Sequence, residues 1–195
     1  GLEGESIDTL IDKYGSLDEA INQASIDSLK KSQIDLLAGV DTAREALLDT
    51  AKDNFTGSNN IVSASGNDAV KAFKELEKAG VINGDSFGKG GGTFTLTGDD
   101  SVDGALENYR KLEEALNALR DSGEFTSEEL SNNPLYSELY NRYNELSGVV
   151  EDYNTSIENL NKNLAQQTML TSLQGKEVPK TKAGFEAFKK ELVAS

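Results

Sequence analysis

The longest regular pattern of apolar positions runs from Leu135 to about Leu173. Its members are Leu139, Tyr143, Leu146, Val150, Tyr153, Ile157, Leu160 and Leu164. These steps alternate four and three residues without a slip, the seam of a helix packed lengthwise on another helix. At a rise of about 1.5 Å per residue the pattern predicts a rod of roughly 50–60 Å, long for a helix of an ordinary compact domain. A second pattern of the same kind runs through Ile26, Leu29, Gln33, Leu36, Val40, Ala43 and Leu47, and predicts a helix from Leu17 to about Phe55. Gly39 interrupts it at a cost of about 1 kcal/mol and marks a bend or a close approach. The economical arrangement packs the two helices on each other with the middle of the chain between them. The spacing leaves open whether they pair within one chain or across chains.

Around these two helices the pattern is shorter and more varied. Ile7, Leu10 and Ile11 sit at helical spacing and stop at Gly15, a C-cap; Ser16-Leu17-Asp18-Glu19 then reads as a capping box. Thr56 to Asn60 is a loop by composition, and Ile61-Val62 forms a minimal strand. A short helix starts between Ser65 and Asp68, carries Val70, Phe73 and Leu76 on one face and stops at Gly80. Val81-Ile82 leads into the turn Asn83-Gly84. The Gly84–Gly92 run is read as a flexible hairpin loop, and residues 56–98 as a small hairpin or three-stranded patch packed on the Phe73 helix. Thr93-Phe94-Thr95-Leu96-Thr97 alternates polar and apolar with β-favouring residues and is the clearest strand in the chain.

Helix returns at Asp99–Ser101, with Ala105, Tyr109, Leu112, Leu116 and Leu119 in one stripe ending at Ser122-Gly123. Thr126-Ser127-Glu128-Glu129 is a capping box opening a short helix around Leu130. Asn133-Pro134 begins the long rod, with Pro134 at the first helical position, where a missing amide costs nothing. After Gly175 and Val178-Pro179 a last helix from Lys182 to Val193 carries Phe185, Phe188 and Leu192 on one face. The expected fold is therefore mainly α. Two long packed helices, about 17–55 and 135–173, are joined by shorter helices and a small β-hairpin patch, with residues 56–98 as an α/β insert holding the Gly-rich loop. Residues 1–195 read as a single elongated helical fragment of a longer chain, because the chain starts at Gly1 rather than Met.

Composition narrows the chemistry. The chain has 195 residues and a hydrophobic content of 36%, which suits helices that each bury only a stripe. Its 34 acidic and 19 basic residues leave a net charge of −15, which disfavours a direct grip on nucleic acid or on anionic lipid. No apolar run reaches membrane-spanning length, and no signal peptide is expected from the given residues. Cysteine and histidine are both absent. Disulfides, thiol nucleophiles, thiolate zinc sites and histidine acid–base chemistry are thereby excluded. Carboxylate pairs, Lys and Tyr remain, and in so acidic a chain carboxylate pairs arise everywhere by chance. Neither an enzyme nor a cofactor is expected.

Three motifs invite sharper readings and do not support them. Gly84-Asp85-Ser86-Phe87-Gly88-Lys89 has three residues between its glycines where a phosphate loop needs four, and Gly90 stands where Ser or Thr would hold magnesium. Asp99, Ser101, Asp103 and Gly104 match the first positions of a calcium loop, but Arg110 occupies the twelfth, where a bidentate Glu is required. Helix capping is the simpler account of those acids. The helix and hairpin from Asp68 to Leu96 look like a winged-helix reader without a basic recognition helix. Tyr136, Tyr140, Tyr143 and Tyr153 lie on or beside the rod seam and lack the basic neighbours of a base-stacking platform. Lys180, Lys182, Lys189 and Lys190 make the C-terminal end locally basic, a solvated helix face.

In style, residues 100–195 resemble a segment of a tail tape-measure protein from phages and prophages of low-GC Gram-positive bacteria. The stretches that carry the resemblance are Leu106–Leu116, Asp121-Ser122-Gly123-Glu124-Phe125-Thr126, the Asn/Leu-rich rod ending in Ala165-Gln166-Gln167, and Val178-Pro179-Lys180-Thr181 with Phe185 and Phe188. The resemblance implies a structural protein that sets tail length, since a helix converts residue count into distance. It implies self-association or contact with phage tail proteins, and a place in the virion tail or in the bacterial cytoplasm during assembly. The Gly-rich β patch departs from a bare ruler and points to a docking or spacing module. The alternative is a helical protein-binding module of a bacterial surface or extracellular protein.

Overall fold

A computed structural model of the protein describes Thr9, residues 17–88 and residues 90–173. The expected helices around Ile7 and from Lys182 to Val193, the Gly15 cap, the Ser16–Glu19 capping box and the basic C-terminal end lie outside the described residues. Among the described residues five helices and three strands follow in order: α1 (Leu17–Phe55), β1 (Ile61–Ser65), α2 (Asn67–Lys78), β2 (Phe87–Gly88), β3 (Gly91–Thr95), α3 (Val102–Asp121), α4 (Ser127–Asn132) and α5 (Pro134–Leu173). Short 3-10 turns, Gly57–Asn60 and Gly84–Ser86, precede β1 and β2. The chain divides into two compact units. One runs from Asp41 to Asn154; the other takes in the chain up to Val40 and from Thr155 onward, so α1 and α5 each contribute to both.

In the Asp41–Asn154 unit, the strands form an antiparallel sheet in the order β1-β3-β2. Ile61 pairs with Thr95 and Ser65 with Gly91 at the two ends of the β1–β3 ladder, and Phe87 pairs with Gly92. The Gly84–Gly92 run holds the expected hairpin: Phe87-Gly88 and Gly91-Gly92 are strand, Gly90 lies in the turn between them, and the loop is shorter than the glycine run. A side chain at Gly92 would collide with Phe87 and one at Gly91 with the Ala64 carbonyl, so glycine lets these backbones close into a sheet. Composition signalled a loop because glycine has poor strand propensity. The tight approach of neighbouring strands overrides that propensity here.

The inward sheet face supplies Val62 and Phe94, and α2 lays Ala69, Ala72, Phe73 and Leu76 in the same core. The Phe73 and Phe87 rings stack at 6.1 Å. Helix α2 ends in a Schellman turn. Gly80, at φ 74°, donates to the Glu77 carbonyl and Val81 to that of Leu76. Helix α3 adds Leu112, Ala115, Leu116 and Leu119; α1 adds Leu47, Ala51 and Phe55; α5 adds Leu135, Leu139, Leu146 and Val150. Each fully buried Leu or Phe contributes on the order of 1.5–3 kcal/mol of transfer free energy.

Polar side chains fasten the joints between these elements. Asn108, wholly buried on α3, accepts from the Thr97 amide at 2.7 Å and donates to the Thr97 carbonyl at 3.2 Å, tying the end of β3 to the helix. Asn133 caps α5 by accepting from the amides of Leu135 and Tyr136, and donates to the Asp68 carbonyl at 2.8 Å. Arg142 of α5 donates to the carbonyls of Asn54 and Asn59, engaging the C-terminal end of α1.

The second unit, as described, is a pair of helical segments: α1 up to Val40 and α5 from Thr155. They run antiparallel, with Asn163 against Leu29 and Ser32, and with Met169 and Leu170 near Ile21 and Ala24. The long helices therefore pack on each other within one chain.

Candidate functional site

The helix-packing seam is the feature the sequence singled out, and its residues have different fates along α5. Leu139, Leu146 and Val150 are buried in the core of the Asp41–Asn154 unit, and Tyr143 and Tyr153 are half-buried against it. Tyr143 stacks on Tyr109 of α3 with ring centroids 4.9 Å apart, and their hydroxyls lie 3.0 Å from each other. That hydrogen bond, with burial behind it, pushes the Tyr143 phenol up to about 12. The pair is a packing contact whose polar tips satisfy one another. Tyr136 and Tyr140 stack at 6.2 Å, with Tyr140 exposed.

Beyond Tyr153 the seam changes character. Ile157 and Leu160 are half-buried, and the next contact residue is Asn163, 6% exposed, while Leu164 is 39% exposed. The apolar pattern placed Leu164 in the seam; the structure shifts the contact by one residue. From Ile157 the contact residues step by three to Leu160 and by three again to Asn163, a local break in the four-three alternation. The cause is hydrogen bonding. Asn163 donates to the Leu29 carbonyl at 3.2 Å and to the Ser32 hydroxyl at 2.8 Å. Gln167 donates to the Asn163 side-chain oxygen at 2.6 Å and to that of Gln33 at 3.2 Å. An inward Leu at this level could not pair with the Ser32 and Gln33 side chains facing it.

Sequence reasoning placed Gln33 in the α1 seam and missed its partners. The available signal was Asn163 and Gln167 spaced four apart in the Asn/Gln-rich end of the rod, opposite a polar seam position. On α1, Ile26, Ala43 and Leu47 are buried, and Leu29, Gln33, Leu36 and Val40 are half-buried. Beside the polar layer, an open apolar groove is lined by Ile21, Leu29, Met169 and Leu170.

The motifs considered for chemistry fold into structural roles. The residues resembling a calcium loop form the N-cap of α3: Asp99 accepts from the Ser101 amide and hydroxyl, and Ser101 accepts from the Gly104 amide at 3.0 Å. Gly104 is glycine because a side chain there would press on the Asp99 backbone. Thr126 and Glu129 form the reciprocal capping box of α4, and the Thr126 amide holds the Glu129 carboxyl below its usual range. Lys71 donates to the Glu124 carbonyl at 2.5 Å and lies 4.4 Å from the centre of the Phe125 ring. Lys71 and Phe125 border a notch of about 230 Å³ with Asp68, Glu128 and Asn132.

Among the described residues no cluster of three or more acidic side chains is arranged to hold a metal ion. No helix among them is long and apolar enough to cross a membrane. No protein-family model, curated protein or solved structure matches the chain.

Proposed function

We propose that the chain is a structural, non-catalytic segment of a phage tail tape-measure protein, acting through helical length and helix-mediated contacts with itself or with tail proteins. The observation that carries this reading is the pair of helices of 39 and 40 residues, more than half of the described protein, joined along seams of side chains. Helical length is a measure of distance that needs no reactive group, and a chain without His or Cys is poor in such groups. The style of residues 100–195 supplies the phage association. Such a segment works in the virion tail after assembly in the bacterial cytoplasm.

The test is to delete the coding segment in frame from a phage that carries it and to measure tail length by electron microscopy. Tails should shorten by between roughly 60 Å, the length of α1, and roughly 290 Å, the length of 195 residues as one continuous helix. Tails of unchanged length overturn the reading, as does a parent gene with no tail genes beside it.

A second reading is favoured by the sheet-containing unit, which has its own core and is unlike a bare ruler. On that reading the chain is a helical binding module of a bacterial surface or extracellular protein. A parent gene encoding an export signal, away from phage genes, selects it.

A further inference from the structure

The sheet has two edges, and they differ. The β2 edge is two residues long, a length too short to template another strand. The β1 edge is five residues long, Ile61-Val62-Ser63-Ala64-Ser65, with no charge, no proline and no bulge. These are the devices by which proteins blunt an exposed strand edge, and β1 has none of them.

The phase of the ladder shows which backbone groups are free. The Leu96 amide donates to the Asn60 carbonyl, and the Gly66 amide to that of Gly90. Hydrogen-bonded pairs alternate along an antiparallel ladder, so Val62–Phe94 and Ala64–Gly92 exchange bonds across β1 and β3. The amides and carbonyls of Ile61, Ser63 and Ser65 therefore point away from β3. None of them has a hydrogen-bond partner among the described contacts, and the three side chains are exposed on the outer sheet face. Backbone groups left without protein partners belong in solvent.

We propose that this edge is a self-association site, where two copies of the chain pair β1 with β1, antiparallel, across a two-fold axis at Ser63. Two observations favour a second copy as the occupant. First, the free residues are symmetric about Ser63. Pairing Ser63 with its counterpart and Ile61 with Ser65 of the other copy satisfies all three amides and all three carbonyls on each strand. The same five residues thus serve both sides, as a two-fold interface requires. Second, charge is absent where it would oppose the contact. The unit carrying β1 has 22 acidic and 10 basic residues, a net of −12, yet the fourteen residues from Asn54 to Asn67 include no charged side chain. Two polyanions meet there without a like-charge pair across the axis. The contact is small, so the dimer is weak and concentration-dependent.

The experiment is sedimentation equilibrium of the full chain from about 10 μM to about 1 mM, the range where weak protein contacts populate. Monomer should give way to dimer over this range. Ser63→Lys should weaken association at least about tenfold, because the axis sets the two ammonium groups side by side. Its melting temperature should match the parent, since Ser63 is exposed and its amide is not used in the β1–β3 ladder.

Cysteine placement gives a second readout in a chain with no native cysteine. Under mild oxidation Ser63→Cys should cross-link to dimer much faster than Thr93→Cys, one strand further from the axis. A chain that stays monomeric throughout overturns the proposal. So does a dimer that survives Ser63→Lys but is lost on Leu164→Asp, which would place the contact on the helices and leave the structural reading of the rod intact. Equal cross-linking of the two cysteine variants also overturns it.

Discussion

The two units solve the same problem, burying the apolar stripes of α1 and α5, with different means. Between Asp41 and Asn154, sheet, α2 and α3 add layers to the long helices, and the resulting core includes wholly buried Leu47, Phe73, Leu112, Leu139 and Leu146. In the helix pair of the other unit, Ala20, Ile26 and Asn163 are the buried residues among those described. Of the seven exposed large hydrophobics among the described residues, five, Ile21, Ile34, Leu37, Leu164 and Met169, belong to that pair. Two helices alone enclose only the line where they touch, so a polar layer can carry the register there. A third layer is needed before side chains are surrounded. Charge follows the same division. The described helix pair has five acidic and three basic residues, a net of −2, against −12 in the layered unit.

The largest test of this contrast is a truncation in each unit. Phe73→Ala should cost about 3–5 kcal/mol in urea denaturation, because the layered core cannot close on the cavity. Ile26→Ala should cost about 2 kcal/mol or less, the transfer contribution alone, since water reaches the helix pair. Equal costs would erase the difference between the units.

Next in size is Asn108→Ala. It strips the Thr97 amide and carbonyl of their partner in the layered unit and should cost about 1–3 kcal/mol by the same measurement. A change within error would mean that solvent already reaches Thr97.

Asn163→Leu should leave global stability within about 1 kcal/mol, because an apolar residue replaces a polar layer at a partly wet contact. Its effect belongs to register. NMR signals of residues 29–33 and 160–170 should split or broaden as alternative pairings become accessible. A single sharp set of signals would deny the polar layer that role.

The smallest effect is alkaline. Tyr143, held up to about 12 against an ordinary 10, keeps its proton in the folded state where the unfolded chain has lost it. Stability from this group is full below pH 10 and is lost as pH rises from 10 to 12. Tyr143→Phe should flatten that part of the melting-temperature profile, read by circular dichroism, and an unaltered slope would assign it to other groups.

Much of the fold was legible because local chemistry states it outright. The Thr126–Glu129 capping box, Pro134 at the start of α5 and Gly80 at the end of α2 each act within a few residues, and each is where pattern and turn chemistry put it. The bounds of α1 also match the pattern. How far the strands reach into the Gly84–Gly92 hairpin was not legible, because Gly91 is held against the Ala64 carbonyl of β1, a contact far away in sequence that no local rule contains. At Leu164 alone the seam departs from the pattern, because a hydrophobic pattern ranks Leu164 above Asn163, while the partner helix offers Ser32 and Gln33 at that level.

Residue order by itself determined the helical class, the two long amphipathic stripes, the caps that delimit the shorter helices, and a chemistry without histidine or thiol. Those properties depend on spacing along one strand of backbone or on composition. Tertiary structure alone decided that the stripes meet within one chain, that the seam passes through Asn163, and that β1 is the longer of the sheet's two edges. Each of these turns on which groups face one another across a gap, and a gap is closed by packing among residues far apart in sequence.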